Sequence, residues 1–118
     1  LLDIRFDKNL EASSGILRKN LVIWGTGNAS KEIVSILKRT SLFKNIQYLV
    51  DNDSKKWGES FEGFTIKSPE VLDVEEKDRK EDVLIIVASS YYPYIRKQVL
   101  QYDYLEWHDF INGMSFLL

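Results

Sequence analysis

Short apolar runs alternate with amphipathic stretches along this chain, and the alternation predicts strands followed by helices. Residues 21–24 form a wholly apolar, β-rich run that ends at a glycine, and Ile46–Val50 and residues 83–88 are further runs of similar character. Such runs are typical of strands that are buried on both faces of a parallel sheet. We therefore predict three central strands, with a shorter strand at residues 64–66.

Helical periodicity follows the first of these strands. After the turn at residues 25–28, apolar residues recur at positions i, i+4, i+7 and i+8, which places them on one face of a helix. These residues are Ala29, Ile33, Ile36 and Leu37. Asn28 is the predicted N-cap, because asparagine commonly accepts a hydrogen bond from the first helical turn.

Two further helices are predicted in the second half of the chain. Ser68-Pro69-Glu70 is expected to open a short helix, with the serine as its cap and the proline at the first helical position. The acid-rich residues 70–82 are expected to form a solvated helix end and loop. A last helix follows residues 89–93. Its apolar face carries Ile95, Val99 and Tyr102. The apolar tail beyond it is expected to add a short strand or to pack across the sheet.

The order of these elements predicts an α/β fold, Rossmann-like and doubly wound, with a mostly parallel sheet and helices on both faces. Right-handed crossovers place Ile46–Val50 on one side of the first strand and residues 83–88 on the other. Ligands bind at the switch point that such an order creates. We assign residues 20–118 to this domain and residues 1–19 to an extension or linker. Since the chain starts at Leu1, we expect it to be part of a longer protein.

Composition narrows the chemistry that this chain can perform. The 118 residues include no cysteine and one histidine, and the net charge is −2. Thiolate metal sites, cysteine nucleophiles and multi-histidine sites are therefore excluded within the chain, and a strongly basic nucleic-acid footprint is absent. A membrane-spanning helix needs about 20 consecutive apolar residues, and no apolar run in this sequence approaches that length. No signal peptide is visible. We expect a cytoplasmic protein that spans no membrane and has no metal and no nucleic-acid partner.

The first strand ends in a glycine motif. Gly25-x-Gly27-x-x-Ser30 lies between a strand and a helix, which is the setting of the dinucleotide fingerprint. Gly25 permits the tight turn, and Gly27 lets a phosphate approach the backbone, where the N–H groups of Gly27, Asn28 and Ala29 point at the anion. Ser30 replaces the third glycine, which weakens the match without breaking it. The alternative is a fold that keeps these glycines only for the turn.

Asp51 stands at the predicted end of the second strand, followed by Asn52. An acid at this position typically accepts hydrogen bonds from ribose hydroxyls, each worth about 1.5–3 kcal/mol. A carboxylate here also disfavours a 2′-phosphate and therefore NADP, although Lys55 and Lys56 are near enough in sequence to weaken that preference.

Ser89, Ser90 and Tyr91 are expected across the crevice, where their hydroxyls can bind a second phosphate, a sugar or a nicotinamide. The alternative is that Ser89 or Ser90 only caps the last helix. No catalytic residue is predicted, and His108 is expected to be a packed or surface histidine. The predicted ligand-binding residues are Gly25, Thr26, Gly27, Asn28, Ala29, Asp51, Asn52, Ser89, Ser90 and Tyr91.

Three segments together resemble a known pattern: IWGTGNASKEIVSIL, YLVDNDSKKWGESFEGFTIKSPEVL and DVLIIVASSYYPYIRKQVL. They are similar to Rossmann-like modules of bacterial sugar and surface-polysaccharide enzymes, such as the N-terminal domain of sugar O-acyltransferases and the module preceding membrane-associated nucleotide-sugar dehydratases. The resemblance implies a nucleotide or nucleotide-sugar ligand, contacted by Asp51 and the turn at residues 25–28. It also implies a linked or associated catalytic domain, and it is unspecific for the reaction.

Three functions are compatible with these observations. The first is a module that binds NAD or a nucleotide-sugar for a sugar or surface-polysaccharide biosynthesis enzyme, without being catalytic on its own. The second is a small NAD-dependent oxidoreductase or a fragment of a nucleotide-sugar dehydratase, although the chain offers no well-placed acid–base pair. The third is an interaction domain without a ligand.

Overall fold

A six-stranded sheet forms the centre of the computed structural model, which describes residues 19–117. The strands follow the order β3-β4-β2-β1-β5-β6, and only the pairing of β3 with β4 is antiparallel among these neighbours. Their bounds are β1 Asn20–Trp24, β2 Ile46–Val50, β3 Ser60–Phe61, β4 Phe64–Lys67, β5 Val83–Val87 and β6 Phe110–Asn112. The predicted doubly wound, Rossmann-like α/β fold is confirmed.

The α-helices within residues 19–117 cover both faces of the sheet. They are α1 Asn28–Leu37, α2 Val71–Val74 and α3 Tyr92–Gln101. Because side chains alternate along a strand, β1 contributes to two cores. Leu21 and Ile23 pack with α1, whereas Val22 and Trp24 pack with α2 and α3. Trp24 is 1% exposed, so this tryptophan belongs to the core. None of the helices in the described residues is both long and apolar enough to cross a bilayer.

The helix starts differ from two predictions. α1 begins at Asn28 with Gly27 as the N-cap, so the prediction of Asn28 as the cap was wrong by one residue. α2 begins after Glu70, and the prediction that Ser68 caps it was also wrong. The backbone N–H groups of Val71 and Leu72 donate to the carbonyl groups three residues earlier, and this tighter turn delays the α-helix.

The edge strand β3 was not predicted, because a strand of this length leaves no periodic pattern. It joins β4 through a two-residue turn at Glu62 and Gly63, both with positive φ (52° and 88°). That geometry matches the twist of a tight hairpin.

The tail forms β6, which pairs in parallel with β5. Phe110 and Ile111 are buried, and Phe116 and Leu117 pack against the α1 side of the core. The expected last strand is therefore confirmed, and the tail closes both faces of the sheet. Residues 1–18 of the predicted extension 1–19, and the final Leu118, lie outside the described residues.

Candidate functional site

A cleft opens at the carboxyl ends of β1 and β5. The chain adds strands to one side of the sheet from β1 through β2 and to the other side from β5 through β6, so the strand order reverses between β1 and β5. Its volume is about 620 Å³, within the range typical of small-ligand sites. Every residue predicted to bind a ligand lines it. These are Gly25, Thr26, Gly27, Asn28, Ala29, Asp51, Asn52, Ser89, Ser90 and Tyr91. The structure therefore brings the three predicted segments together, as the strand order required.

Gly25 makes the turn that carries the chain from β1 to α1. Its φ is +119°, and a Cβ atom at this position would lie 2.7 Å from the carbonyl oxygen of Ala88. Its N–H donates to the Val50 carbonyl at 2.8 Å. The turn is thus held between the ends of β2 and β5, and a residue other than glycine would be strained there and would also clash.

Ser30 stands where the fingerprint has its third glycine. The side chain is fully buried, and its hydroxyl donates a hydrogen bond to the Gly25 carbonyl. The serine therefore ties the first turn of α1 back to the tight turn. This contact offers a physical role for the departure from the motif.

Gly27 leaves open space at the N-terminus of α1. Its φ of −107° is accessible to any residue, and among residues 19–117 no atom apart from those of Gly27 and its chain neighbours lies within 4 Å of the position that a Cβ would take. Its carbonyl accepts the Lys31 N–H at 3.1 Å, and no side chain caps the helix. The first backbone N–H groups of a helix have no intrahelical acceptor, so this end of α1 attracts negative charge.

Asp51 follows β2 and is held on several sides. Its Oδ2 accepts the Thr26 hydroxyl at 2.7 Å, and its Oδ1 accepts the Asp53 N–H at 2.8 Å. Its carbonyl accepts the Trp57 indole N–H at 2.7 Å, which places this tryptophan on the rim rather than in the core. A carboxylate offers about four lone-pair sites, so both oxygens keep acceptor capacity toward the cleft.

Lys56 brings a positive charge to the same corner. Its Nζ donates to the Thr26 hydroxyl oxygen at 3.0 Å, and that hydroxyl in turn donates to Asp51. Lys56 is half-buried, whereas Lys55 is exposed. The sequence places both lysines near Asp51, but only the folded chain shows which of them faces the glycine turn.

Ser89, Ser90 and Tyr91 form the wall opposite the glycine turn. The Ser89 hydroxyl accepts the Tyr91 N–H at 3.0 Å, and α3 begins at Tyr92 with Tyr91 as an N-cap that has no side-chain cap bond. The alternative in which Ser89 or Ser90 caps this helix is therefore wrong. Ser90 and Tyr91 are exposed beside the cleft.

Several cleft residues were not predicted. Tyr94, on the first turn of α3, lines the cleft together with Ile95, and Met114 approaches from the tail. Tyr91 and Tyr94 are 73% and 70% exposed, so two aromatic rings stand at the mouth. The position of Tyr94, three residues after the predicted site residue Tyr91, was a signal available in the sequence, whereas Met114 is brought in only by the pairing of β6.

A second polar cluster ties α3 to the loop before β6, outside the cleft. Tyr92 donates to Glu106, and Arg96 Nε donates to the same carboxylate at 2.9 Å. Burial and the bond to Glu106 raise the pKa of Tyr92. The same bond lowers the pKa of Glu106. The hydrogen bond and charge of Arg96 lower this pKa further, whereas burial of the carboxylate partly opposes the shift. The cluster is a structural tether rather than part of the cleft lining.

The remaining candidates carry no chemistry at this site. His108 is exposed and its Nδ1 lies 2.8 Å from Asp109 Oδ1, which agrees with the expected surface histidine. Within residues 19–117, no group of three or more histidine or acidic side chains is placed to hold a metal ion. Asp51 is the one carboxylate among the described residues of the cleft lining.

Comparison with known proteins adds a family and a set of similar folds. The model of the C2185-like N-terminal family matches residues 17–108. No curated protein matches the chain significantly. The structure resembles that of UDP-D-quinovosamine 4-dehydrogenase from Vibrio fischeri, with a TM-score of 0.57, 21% sequence identity and coverage of 72% of each chain.

The Rex-family repressor RSP has a similar fold. In its complex with β-NAD⁺ and operator DNA, the TM-score is 0.56 and the identity 17%, over 87% of this chain and 46% of the repressor. A complex of the same repressor with β-NADH gives the same TM-score. This chain therefore spans about half the length of the repressor. At these identities the likeness shows the Rossmann-like fold.

Proposed function

The chain belongs to the C2185-like N-terminal family, and from the geometry of its cleft we propose that this Rossmann-like domain binds a nucleotide through its diphosphate and ribose. The observation that carries the proposal is the open space at Gly27, in a cleft that is lined both by the first residues of α1 and by Asp51. The nucleotide is of the NAD type or a nucleotide-sugar.

The turn at the start of α1 fits a diphosphate. A side chain at Gly27 would occupy the space in front of the helix, and glycine leaves that space to a ligand. The helix dipole and the N–H groups of Asn28 and Ala29 favour an anion there. Because the Gly25 turn is held by β2 and β5, these donors are in position before a ligand arrives.

Asp51 fits a ribose. The Thr26 hydroxyl and the Asp53 N–H orient its carboxylate, and each bonded oxygen keeps a lone pair for a ribose hydroxyl. Charged hydrogen bonds of this kind are worth about 1.5–3 kcal/mol. The part that this chain plays is therefore to bind and orient the nucleotide.

Each of the two nucleotide classes has support in a protein of similar fold. One similar fold belongs to a dehydrogenase of a UDP-sugar, and the other binds β-NAD⁺ and β-NADH. A nicotinamide dinucleotide would supply hydride chemistry, for which the lining offers hydroxyls and one carboxylate but no evident acid–base pair. We therefore propose that the module serves a sugar or surface-polysaccharide enzyme whose catalytic groups lie in a linked or associated domain.

A calorimetric titration of the protein with NAD⁺, NADP⁺, UDP-sugars, CDP-sugars and acetyl-CoA tests the proposal. A true ligand at a hundred times its Kd should also stabilise the fold by about 2.7 kcal/mol. The substitution Gly27→Ala places a methyl group in the open space and should weaken binding at least tenfold, with little change in stability. Ser35→Ala, on the exposed side of the same helix, is the control.

Failure of every nucleotide to bind the wild-type protein would refute this function. The interaction domain without a ligand would then be the better description. Equal binding by wild type and Gly27→Ala would place the ligand elsewhere.

A further inference from the structure

A second cavity of about 630 Å³ adjoins the cleft and shares Asn52 and Tyr94 with it. Its lining has no aliphatic side chain and consists of carboxamides, phenols and one ammonium group. The residues are Asn52, Tyr94, Lys97, Gln98, Gln101 and Tyr102. A cavity of this composition suits a planar group that carries both donors and acceptors, since the rings offer faces for stacking and the amides offer both kinds of hydrogen bond.

A reciprocal amide pair stands where the two cavities meet. Asn52 Nδ2 donates to Gln98 Oε1 at 3.1 Å, and Gln98 Nε2 donates to Asn52 Oδ1 at 3.0 Å. Each amide therefore presents a donor beside an acceptor toward the other. Adenine and uracil carry the same adjacent donor and acceptor on their edges, and carboxamides are known to bind adenine in this bidentate way.

The two amides are not equally well held. Gln98 extends from α3 and also donates to the Tyr102 hydroxyl at 3.4 Å, whereas Asn52 is exposed on the loop after β2. A hydrogen bond between exposed groups contributes about 0.5–1.5 kcal/mol net, so a ligand with the same pattern is able to replace it. Of the two amides, Asn52 is the one that a ligand would displace.

We infer that Gln98 reads the nucleobase of the bound nucleotide, whose donor–acceptor edge exchanges with the amide of Asn52. This inference rests on the proposed function, since it needs a ribose at Asp51. Asn52 follows Asp51 directly, and it lines the second cavity together with Gln98. A base attached to the ribose thus reaches Gln98, and Tyr94, which borders both cavities, offers it a ring face.

Three variants test the inference, each titrated with UDP, ADP and inorganic pyrophosphate. Gln98→Met keeps the length of the side chain and removes its hydrogen bonds, so it should weaken the preferred nucleotide about tenfold and leave pyrophosphate within twofold. Asn52→Ala removes the competing amide, so nucleotide affinity should rise. Gln47→Met is the control, because Gln47 is an exposed glutamine outside both cavities. Thermal unfolding of each variant verifies the fold.

The results separate this inference from the proposed function. If wild type binds nucleotides and Gln98→Met binds them equally well, the base is read elsewhere and the inference fails alone. If Asn52→Ala lowers nucleotide affinity as much as Gln98→Met does, the base does not replace the Asn52 amide and the inference is also refuted. If wild type binds NAD⁺ or a nucleotide-sugar but neither UDP nor ADP, the inference fails alone. If it binds none of these ligands, both ideas fail together. The ratio of UDP to ADP affinity identifies which base the pair accepts.

Discussion

Thr26 donates a hydrogen bond to Asp51 at 2.7 Å, and this contact joins the glycine turn after β1 to the end of β2. The side chain that is proposed to hold a ribose is therefore oriented by the turn that is proposed to hold a phosphate. The Lys56 ammonium donates to the same hydroxyl oxygen. Thr26 therefore links the negative side chain of Asp51 to the positive side chain of Lys56. Three of the following predictions concern Asp51, Lys56 and the glycine turn to which Thr26 belongs.

Asp51→Ala should weaken binding of the preferred nucleotide by about 10- to 150-fold, because it removes a charged acceptor worth about 1.5–3 kcal/mol. Isothermal titration calorimetry measures the effect. Asp53→Ala is the matched control, since its carboxylate lies outside the cleft lining and the backbone N–H that supports Asp51 is retained. Equal affinities for the two variants would remove Asp51 from the site.

Gly25→Ala should destabilise the fold by about 2–4 kcal/mol, because the new methyl group is held at a positive φ and meets the Ala88 carbonyl oxygen at 2.7 Å. Gly27→Ala should change stability by no more than about 1 kcal/mol, since its φ is ordinary and the space is open. Urea unfolding of both variants measures the contrast. Similar losses at the two positions would contradict the different roles assigned to the glycines.

Lys56→Met should lower the affinity for NADP⁺ about three- to tenfold relative to that for NAD⁺. The lysine places a positive charge beside Asp51 and offsets the repulsion between that carboxylate and a 2′-phosphate. Lys55→Met provides the comparison, because this neighbouring lysine is exposed and makes its backbone hydrogen bond regardless of its side chain. Titrations at two salt concentrations should show the difference shrinking at high salt. An unchanged ratio for Lys56→Met would show that the charge does not reach the ligand.

Tyr92 should make stability depend on pH in the alkaline range. Burial and the hydrogen bond to Glu106 raise its pKa above the ordinary value of 10.0, so the folded state holds the phenolic proton more tightly than the unfolded chain. The contribution is fully present below pH 10 and is lost as pH rises toward the folded-state pKa. Chemical unfolding at pH 8 to about 11 measures the slope.

Tyr92→Phe should flatten this alkaline slope, while part of it remains because burial also raises the pKa values of Tyr48 and Tyr104. Glu106 acts in the opposite direction. The bond from Tyr92 lowers its pKa, so its contribution is present above the ordinary value of 4.5 and is lost in acid. A slope that is identical in wild type and Tyr92→Phe would contradict the role of the tether.

The central strands and the main helices were predictable because their signals are local. The run at Val83–Val87 is buried along its whole length, and the stripe on α1 faces the core as its spacing indicates. Apart from the unpredicted strand β3, the errors fall at element ends, where neighbouring residues compete for the same role. Gly27 rather than Asn28 caps α1, and a tight turn after Ser68 delays α2.

The sequence by itself determined which segments meet at the cleft, because parallel strands with glycine and acidic ends bring those ends to one edge of the sheet. It could not show that Lys56 reaches Thr26, that the Ala88 carbonyl excludes a side chain from Gly25, or that Gln98 pairs with Asn52. Those contacts join residues that are distant along the chain. Their existence depends on the strand register, the twist of the sheet and the rotation of α3, and only the packing of the whole domain sets these quantities.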